Sequence, residues 1–394
     1  MMRFSLTRLA LTRRLMASAI STSAIAGALL ATVASANATC LCDGPPTAPP
    51  KSPPSAPPVA PPPPPPPPPP GPNTTDIESQ FSSQQALFDL GTNFLRRLGD
   101  QSTWGTNAAF SRNPAGGGAS EGATPQAFRS WAEFYGISSR TDPQGAFTGD
   151  HRRTYGGVAG LGATVLPGLN VGVSVDRSET KIDMPEALQN AKLGLTQLGF
   201  NASYTVGNWT LAGAVVHGWG DISAQRGTIA GLALSNYHGE LDGLLGELSY
   251  YWALGQSRVV PKLAIEYVRA QTDAFLETGG FDPVAAAQAT GERTRVLLGA
   301  EVGHYWIIDS KVLDVSGYGK FVDNVAQHLS PITVSTNGQS ITVQGIREGT
   351  YGADAGAGLS YGLTGALRVY ANYDGKFRQN FISHQGTIGL EVKW

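Results

Sequence analysis

The sequence predicts an all-β fold: a 12-stranded antiparallel transmembrane β-barrel, preceded by an α-helix and a Pro-rich N-terminal segment. Three observations carry this expectation. The last eight residues, Thr387 to Trp394, alternate polar and apolar without a break and end on an aromatic. Such a strand has one greasy face (Ile388, Leu390, Val392, Trp394) and one polar face (Thr387, Gly389, Glu391, Lys393). The same period of two recurs from Phe128 onward, with short turns alternating with longer loops, as in a barrel that crosses lipid. Finally, charged residues make up 15% of the chain while glycines number 49. A lipid-facing band excludes charge, and glycine tolerates tight barrel curvature.

The N-terminus reads as a secretory signal peptide over residues 1–36. Arg3, Arg8, Arg13 and Arg14 form its basic front, Leu15 to Val33 its apolar stretch, and Ala34-Ser35-Ala36 a small-residue cleavage site. No later run of about 18 apolar residues would form a spanning helix, which leaves strands to cross the membrane. A net charge of −2 argues against nucleic acid as a partner. Residues 37–76 are a short stalk dominated by proline, unbroken from Pro61 to Pro70, and expected in the extended polyproline conformation. Cys40 and Cys42 lie in it and could bridge within or between chains in an oxidising space, or simply stay solvated.

Residues 77–127 read as a linker containing a helix over 79–98 and a Gly-rich connector that includes Gly116-Gly117-Gly118. Phe81, Leu87, Phe88, Leu90, Phe94, Leu95 and Leu98 cover one side of the helix, and Gln85, Asp89, Thr92, Arg96 and Asp100 the other. Gly99 is expected to stop it. Its charges and length suit a plug inside a barrel; a surface helix under the barrel mouth is the alternative.

Residues 128–394 hold the expected strands, at 128–140, 153–166, 169–180, 193–206, 208–222, 238–253, 257–272, 292–307, 312–325, 347–361, 365–376 and 382–394. Long polar loops are expected at Gln225 to Tyr237, Asp273 to Gly291 and Ala326 to Ile346. Alternation predicts an apolar outer set and inward polar residues of both signs. Glu133, Glu247, Lys262, Glu266, Arg295, Glu301, Lys320 and Arg368 are the expected lumen-facing charges. Trp209, Trp252, Tyr305, Trp306 and Trp394 sit near strand ends, where aromatic belts belong. No Gly-x-Ser-x-Gly elbow, His-Glu-x-x-His pair or phosphate loop is present, and the six histidines are scattered. The reading is of a chain that is not an enzyme and needs no cofactor.

Residues 128–394 resemble the translocator domain of type V autotransporters. The resemblance lies in the opening strand Arg129 to Gly136, the Gly-rich hairpin Gly156 to Val175, Pro261 to Tyr267, Tyr373 to Phe377 and the closing strand. It implies an outer-membrane barrel with a helix threaded through its pore, exporting its own N-terminal segment. Periplasmic chaperones and the barrel-assembly machinery would insert it as a monomer, reading Thr387, Gly389, Val392 and Trp394 as the assembly signal. This chain departs from the family in having only about 40 residues, nearly half of them proline, where long β-solenoid passengers stand. The expected function is translocation or surface display of that short segment. The alternative is a surface adhesin or envelope-structural barrel whose proline-rich N-terminus stays periplasmic.

Overall fold

The computed structural model describes residues 71–103 and 128–394. The expected signal peptide, the proline run with Cys40 and Cys42, and the glycine-rich connector lie outside the described residues. A 3-10 turn, Thr74–Ile77, leads into α1 (Glu78–Thr103). The strands that follow are β1 (Phe128–Thr141), β2 (Asp150–Leu166), β3 (Leu169–Met184), β4 (Gln189–Val206), β5 (Trp209–Thr228) and β6 (Gly231–Tyr250). Next come β7 (Trp252–Leu254), β8 (Ser257–Thr272), β9 (Phe275–Leu276), β10 (Ala285–Ala286), β11 (Ala289–Ile308) and β12 (Lys311–Leu329). The last are β13 (Ile332–Thr336), β14 (Gln339–Val343), β15 (Tyr351–Gly362), β16 (Leu367–Arg378) and β17 (Phe381–Lys393).

Twelve long strands close into one antiparallel barrel, in the order β1 to β6, β8, β11, β12, β15, β16 and β17. The last strand pairs with the first from Thr141↔Phe381 to Arg129↔Lys393, so no edge is left open. β7 continues β6 past Tyr251 and pairs with β8. No helix among the described residues is long and apolar enough to cross a membrane. The apolar outer face belongs to the strands: Val173, Leu198, Phe200, Leu211, Leu263, Leu298 and Ile388 all point outward and are exposed.

The two ends of the barrel differ. Phe128, Trp394 and the tight turns at Pro167-Gly168, Gly207-Asn208, Gly255-Gln256 and Asp309-Ser310 share one end, the turn end. At Asp309 and Ser310 both φ angles are positive (49° and 62°), which matches the twist of a two-residue hairpin. The opposite, loop end carries β9, β10, β13 and β14, which form a separate four-stranded sheet. Here the strands run further than their sequence suggests. The loop expected at Gln225 to Tyr237 is a hairpin: β5 reaches Thr228 and β6 begins at Gly231. At 20 residues each, these strands exceed the roughly 10 that span lipid, so their ends project beyond it. Here apolar side chains fall on both faces, with Ile222, Ala224, Ala233 and Tyr237 inward and Leu232 and Leu234 outward, so the apolar-out, polar-in pattern of the lipid-crossing part is lost.

On the inner wall, β2 is stripped of side chains where β1 is bulky. A Cβ at Gly162 would lie 2.7 Å from Arg129, and Gly156 and Gly160 yield likewise to Tyr135 and Trp131. The glycine-rich half of this hairpin is therefore space for the inward residues of its neighbour. Tyr305 departs from the expected aromatic belt: it is 5% exposed and faces inward, while Trp209, Trp252, Trp306 and Trp394 face out.

Candidate functional site: the occupied pore

α1 lies inside the barrel. Its 26 residues extend about 39 Å, enough to run most of the length of the lumen. It starts earlier and ends later than 79–98, and Gly99 does not stop it. A Cβ at Gly99 would approach Leu245 Cδ2 to 2.6 Å, so glycine there allows close contact with the wall. Leu87, Phe88, Leu95 and Leu98 are fully buried against β4, β5, β6 and β11. The wall receives them at glycines: a Cβ at Gly239 would meet Leu87 at 2.9 Å, at Gly243 Leu95 at 2.8 Å, and at Gly291 Phe88 at 2.8 Å. Gly199 makes room for Leu98 and Phe94 in the same way.

The polar side of α1 meets charges on the wall. Arg96 bridges Glu266 and Asp354, and its Nη2 donates to Glu266 Oε2 at 3.0 Å. Arg97 Nε reaches Glu133 Oε2 at 2.6 Å, and its Nη1 lies 3.5 Å from Asp176. Gln101 donates to Glu133 at 2.9 Å, as does the Tyr370 hydroxyl at 2.8 Å. Asp89 accepts from Arg152 at 2.9 Å and lies 3.7 Å from Arg293, and Asn93 accepts from Lys376. Asp100 lies 4.0 Å from Lys262, which also faces Glu247 at 3.8 Å and Glu301 at 4.0 Å. Buried charges are tolerable only when paired; each of these meets an opposite charge except Lys376, whose partner is the neutral amide of Asn93.

The remaining sequence-singled charges fall on the same inner surface. Arg295 pairs with Glu348 and donates to Asn324 at 2.8 Å. Glu301 accepts from Arg258 at 2.8 Å. Lys320 and Arg368 line a polar cleft of about 130 Å³ between α1 and strands β12, β15, β16 and β17, with Arg258, Asp314 and Asp374. The helix is thus eccentric, packed by apolar contacts on one half of the wall and facing water-sized space on the other. Sequence reading missed Asp89's partner Arg152, together with Arg293, Asp354, Lys376 and Arg378. Arg293 has the parity of Arg295, and Lys376 and Arg378 have that of Arg368, so alternation carried a signal for three of them. Glu348 has the parity of Asp354 within the strand expected at 347–361, but that strand begins only at Tyr351, and Glu348 lies in the loop before it, folded back onto Arg293, Arg295 and Arg378.

The helix ends fix its direction. At the loop end, Ser79 N–H donates to Gln189 at 2.9 Å, and Gln189 donates back to the Thr75 carbonyl at 2.5 Å. Glu78 accepts from the Thr148 amide at 3.1 Å and its hydroxyl at 2.6 Å. Arg226 joins Asp76 at 3.2 Å to Glu277 at 2.6 Å. Gln101, by contrast, lies beside Glu133 and Tyr370, toward the turn end. The chain therefore comes in at the loop end and descends toward Phe128.

The closing strand has two faces. Thr387 is buried inward, and Gly389 leaves space for the Tyr370 ring that reaches Glu133. Val392 lies on the outward parity, and Trp394 stacks on Phe128 at 5.1 Å while exchanging backbone hydrogen bonds with it at 3.0 and 3.1 Å. Among the described residues no group of histidine, cysteine or carboxylate side chains could hold a metal ion.

A family model described as the autotransporter beta-domain matches residues 130–374. The translocator domain of the autotransporter NalP from Neisseria meningitidis has a similar fold, with a TM-score of 0.61 at 16% identity, covering 79% of this chain and 98% of that one. The beta domain of the Bordetella autotransporter BrkA gives a TM-score of 0.53 at 15% identity, covering 68% of this chain and all (100%) of that one. No protein with a curated description matches the sequence. A closed 12-stranded wall, an internal helix and the match over residues 130–374 agree, and the chain belongs to the autotransporter beta-domain family, the outer-membrane barrel translocators of type V secretion.

Proposed function

We propose that this barrel carries its own proline-rich segment to the cell surface and holds it there, with the loop end outward and the turn end in the periplasm. The observation that supports this best is the direction of α1. Asn73 to Ser79 are held among Gln189, Thr148 and Arg226 at the loop end, so the chain before the helix leaves the lumen on that side. Short turns and chain ends on the periplasmic side and long loops outside is the usual arrangement of such barrels. The reverse reading, with a periplasmic proline segment, would require the helix to run the other way. In this reading residues 1–36 direct export and are removed, and residues 37–76 form the displayed stalk. Periplasmic chaperones and the barrel-assembly machinery insert the protein as a monomer, with Thr387, Gly389, Val392 and Trp394 as its assembly signal. The barrel itself performs no covalent chemistry; its work is closure in lipid and anchorage.

Protease added to intact cells tests the display. Trimming of the segment before residue 71, with the barrel left whole, is the expected result. Full protection on intact cells, with trimming only after the outer membrane is breached, would overturn it.

A further inference from the structure

The outer flank of the barrel carries a row of cations that translocation does not use. In the strand register Arg153 on β2 lies opposite Lys181 on β3, and Lys181 lies opposite Lys192 on β4. All three side chains point outward and are exposed. Arg177 lies on the same outer face of β3, four residues nearer the turn end, and donates to Thr196 at 2.5 Å. Like charges placed directly opposite across strands repel. Glu179 and Asp183 share this face of β3, with His151 opposite Asp183. Yet none of the four cations forms an ion pair among the described residues, whereas Arg140, on the outer face of β1 at the same end, does. Arg140 pairs with Asp142 at 3.0 Å.

The height of the row matters as much as its charge. Toward the turn end the same outer faces become apolar, with Leu161 on β2, Val173 and Val175 on β3, and Leu198 and Phe200 on β4, all exposed. Tyr155, 69% exposed, stands between that band and Arg153, as an amphipathic ring does at a membrane interface. At about 3.3 Å per residue on tilted strands, the cations lie roughly 5–15 Å beyond the last apolar positions. They face sideways along the membrane rather than upward into solvent.

We propose that Arg153, Arg177, Lys181 and Lys192 form a binding patch for the phosphate groups of lipid headgroups packed around the loop end. The patch rests on the orientation given above, which makes this the outer leaflet. Three cations on adjacent strands, continuous with an acyl-facing band below, match a lipid that bears several phosphates over its tails. A soluble acidic partner would have to displace lipid from the flank to reach the same side chains.

The test compares the full chain with the triple variant R153Q/K181Q/K192Q in phosphatidylcholine vesicles, with and without lipid A, a doubly phosphorylated glycolipid. The readout is the temperature at which the unboiled, folded band converts to the unfolded one on a gel. Lipid A is expected to raise that temperature for the native chain by on the order of 5 °C more than for the variant. In phosphatidylcholine alone the variant is expected to be as stable as the native chain or more so, because the repulsion is gone. An equal response of both proteins to lipid A overturns the proposal, and so does the same rise with free inorganic phosphate. The R140Q variant should respond as the native chain does. Vesicles carrying lipid A in both leaflets give a result that does not depend on orientation. Failure here is thereby distinguishable from failure of the surface-display reading, which the protease experiment on cells decides.

Discussion

Three guanidiniums, those of Arg293, Arg295 and Arg378, converge on the single carboxylate of Glu348. Burial alone would push this carboxyl up, but the surrounding cations, Arg295 foremost, outweigh it and hold it down at about 2. Replacing Glu348 by alanine leaves those cations buried without their shared anion, at a cost of roughly 3–5 kcal/mol. A lowered conversion temperature for the heat-modifiable band should report it; an unchanged one would mean that water or Asp354 already compensates the arginines. The sign of the pH effect follows from the depressed value. The stabilisation is fully present above the ordinary carboxylate range near 4.5 and is lost as pH falls through about 2. E348A should therefore lack part of the stability loss that the native barrel shows between those pH values. Parity along β8, β11 and β16 made Glu266, Arg295 and Arg368 readable as inward residues. Which charge meets which was not readable, because that depends on barrel stagger and on the rotation of α1, neither of which is written in a period of two. Glu348 lies in the loop before β15, which begins at Tyr351 and not at residue 347 as the alternation suggested, so its meeting with three arginines is set by the loop's fold and not by a strand period.

At the scale of the element, α1 is seated by shape on one side and by charge on the other. The apolar side is fitted closely, since Gly199, Gly239, Gly243 and Gly291 bring the wall up to Leu98, Leu87, Leu95 and Phe88. Gly199→Val puts a branched side chain where Leu98 and Phe94 now lie, an overpacking cost of about 1–3 kcal/mol. Such a change should loosen the helix without disturbing the outer face of β4. In a planar bilayer G199V is expected to conduct more than the native protein, approaching a variant that lacks residues 79–98. If deleting that stretch leaves conductance unchanged, the helix does not limit the pore. The helix was legible from its seven apolar residues on one side. Its end was not, because Gly99 resembles a helix stop in sequence and becomes a contact surface only once Leu245 stands beside it. The strand ends at the loop side escaped for a related reason: β5 and β6 leave lipid partway along, and beyond that point apolar residues such as Ile222 and Tyr237 face inward while Leu232 and Leu234 face outward, so the alternation no longer marks a lipid face.

For the molecule as a whole, stability in lipid depends on there being no open edge, and the seam between β1 and β17 is where that condition is met last in the chain. Backbone pairing runs from Thr141↔Phe381 to Arg129↔Lys393, and Trp394 adds two more hydrogen bonds with Phe128 at the turn end. An unpaired backbone polar group in hydrocarbon costs several kcal/mol, so a barrel open along even part of this seam is not a viable intermediate in the membrane core. Trp394 also stacks on Phe128, which places an aromatic pair across the join at the membrane boundary. Deleting Trp394 removes the stack and the last two backbone bonds together, whereas Trp394→Phe keeps the bonds and most of the ring contact. The deletion is expected to leave the protein unassembled and degraded, with no heat-modifiable band in outer-membrane fractions. Trp394→Phe should assemble, and Trp394→Asp, which keeps the backbone but sets a charge at the boundary, should fail like the deletion. Normal insertion of both the deletion and the aspartate variant would mean that closure is driven from elsewhere along β17, through Ile388, Leu390 and the pairing with β16, and that the terminal aromatic carries no assembly information.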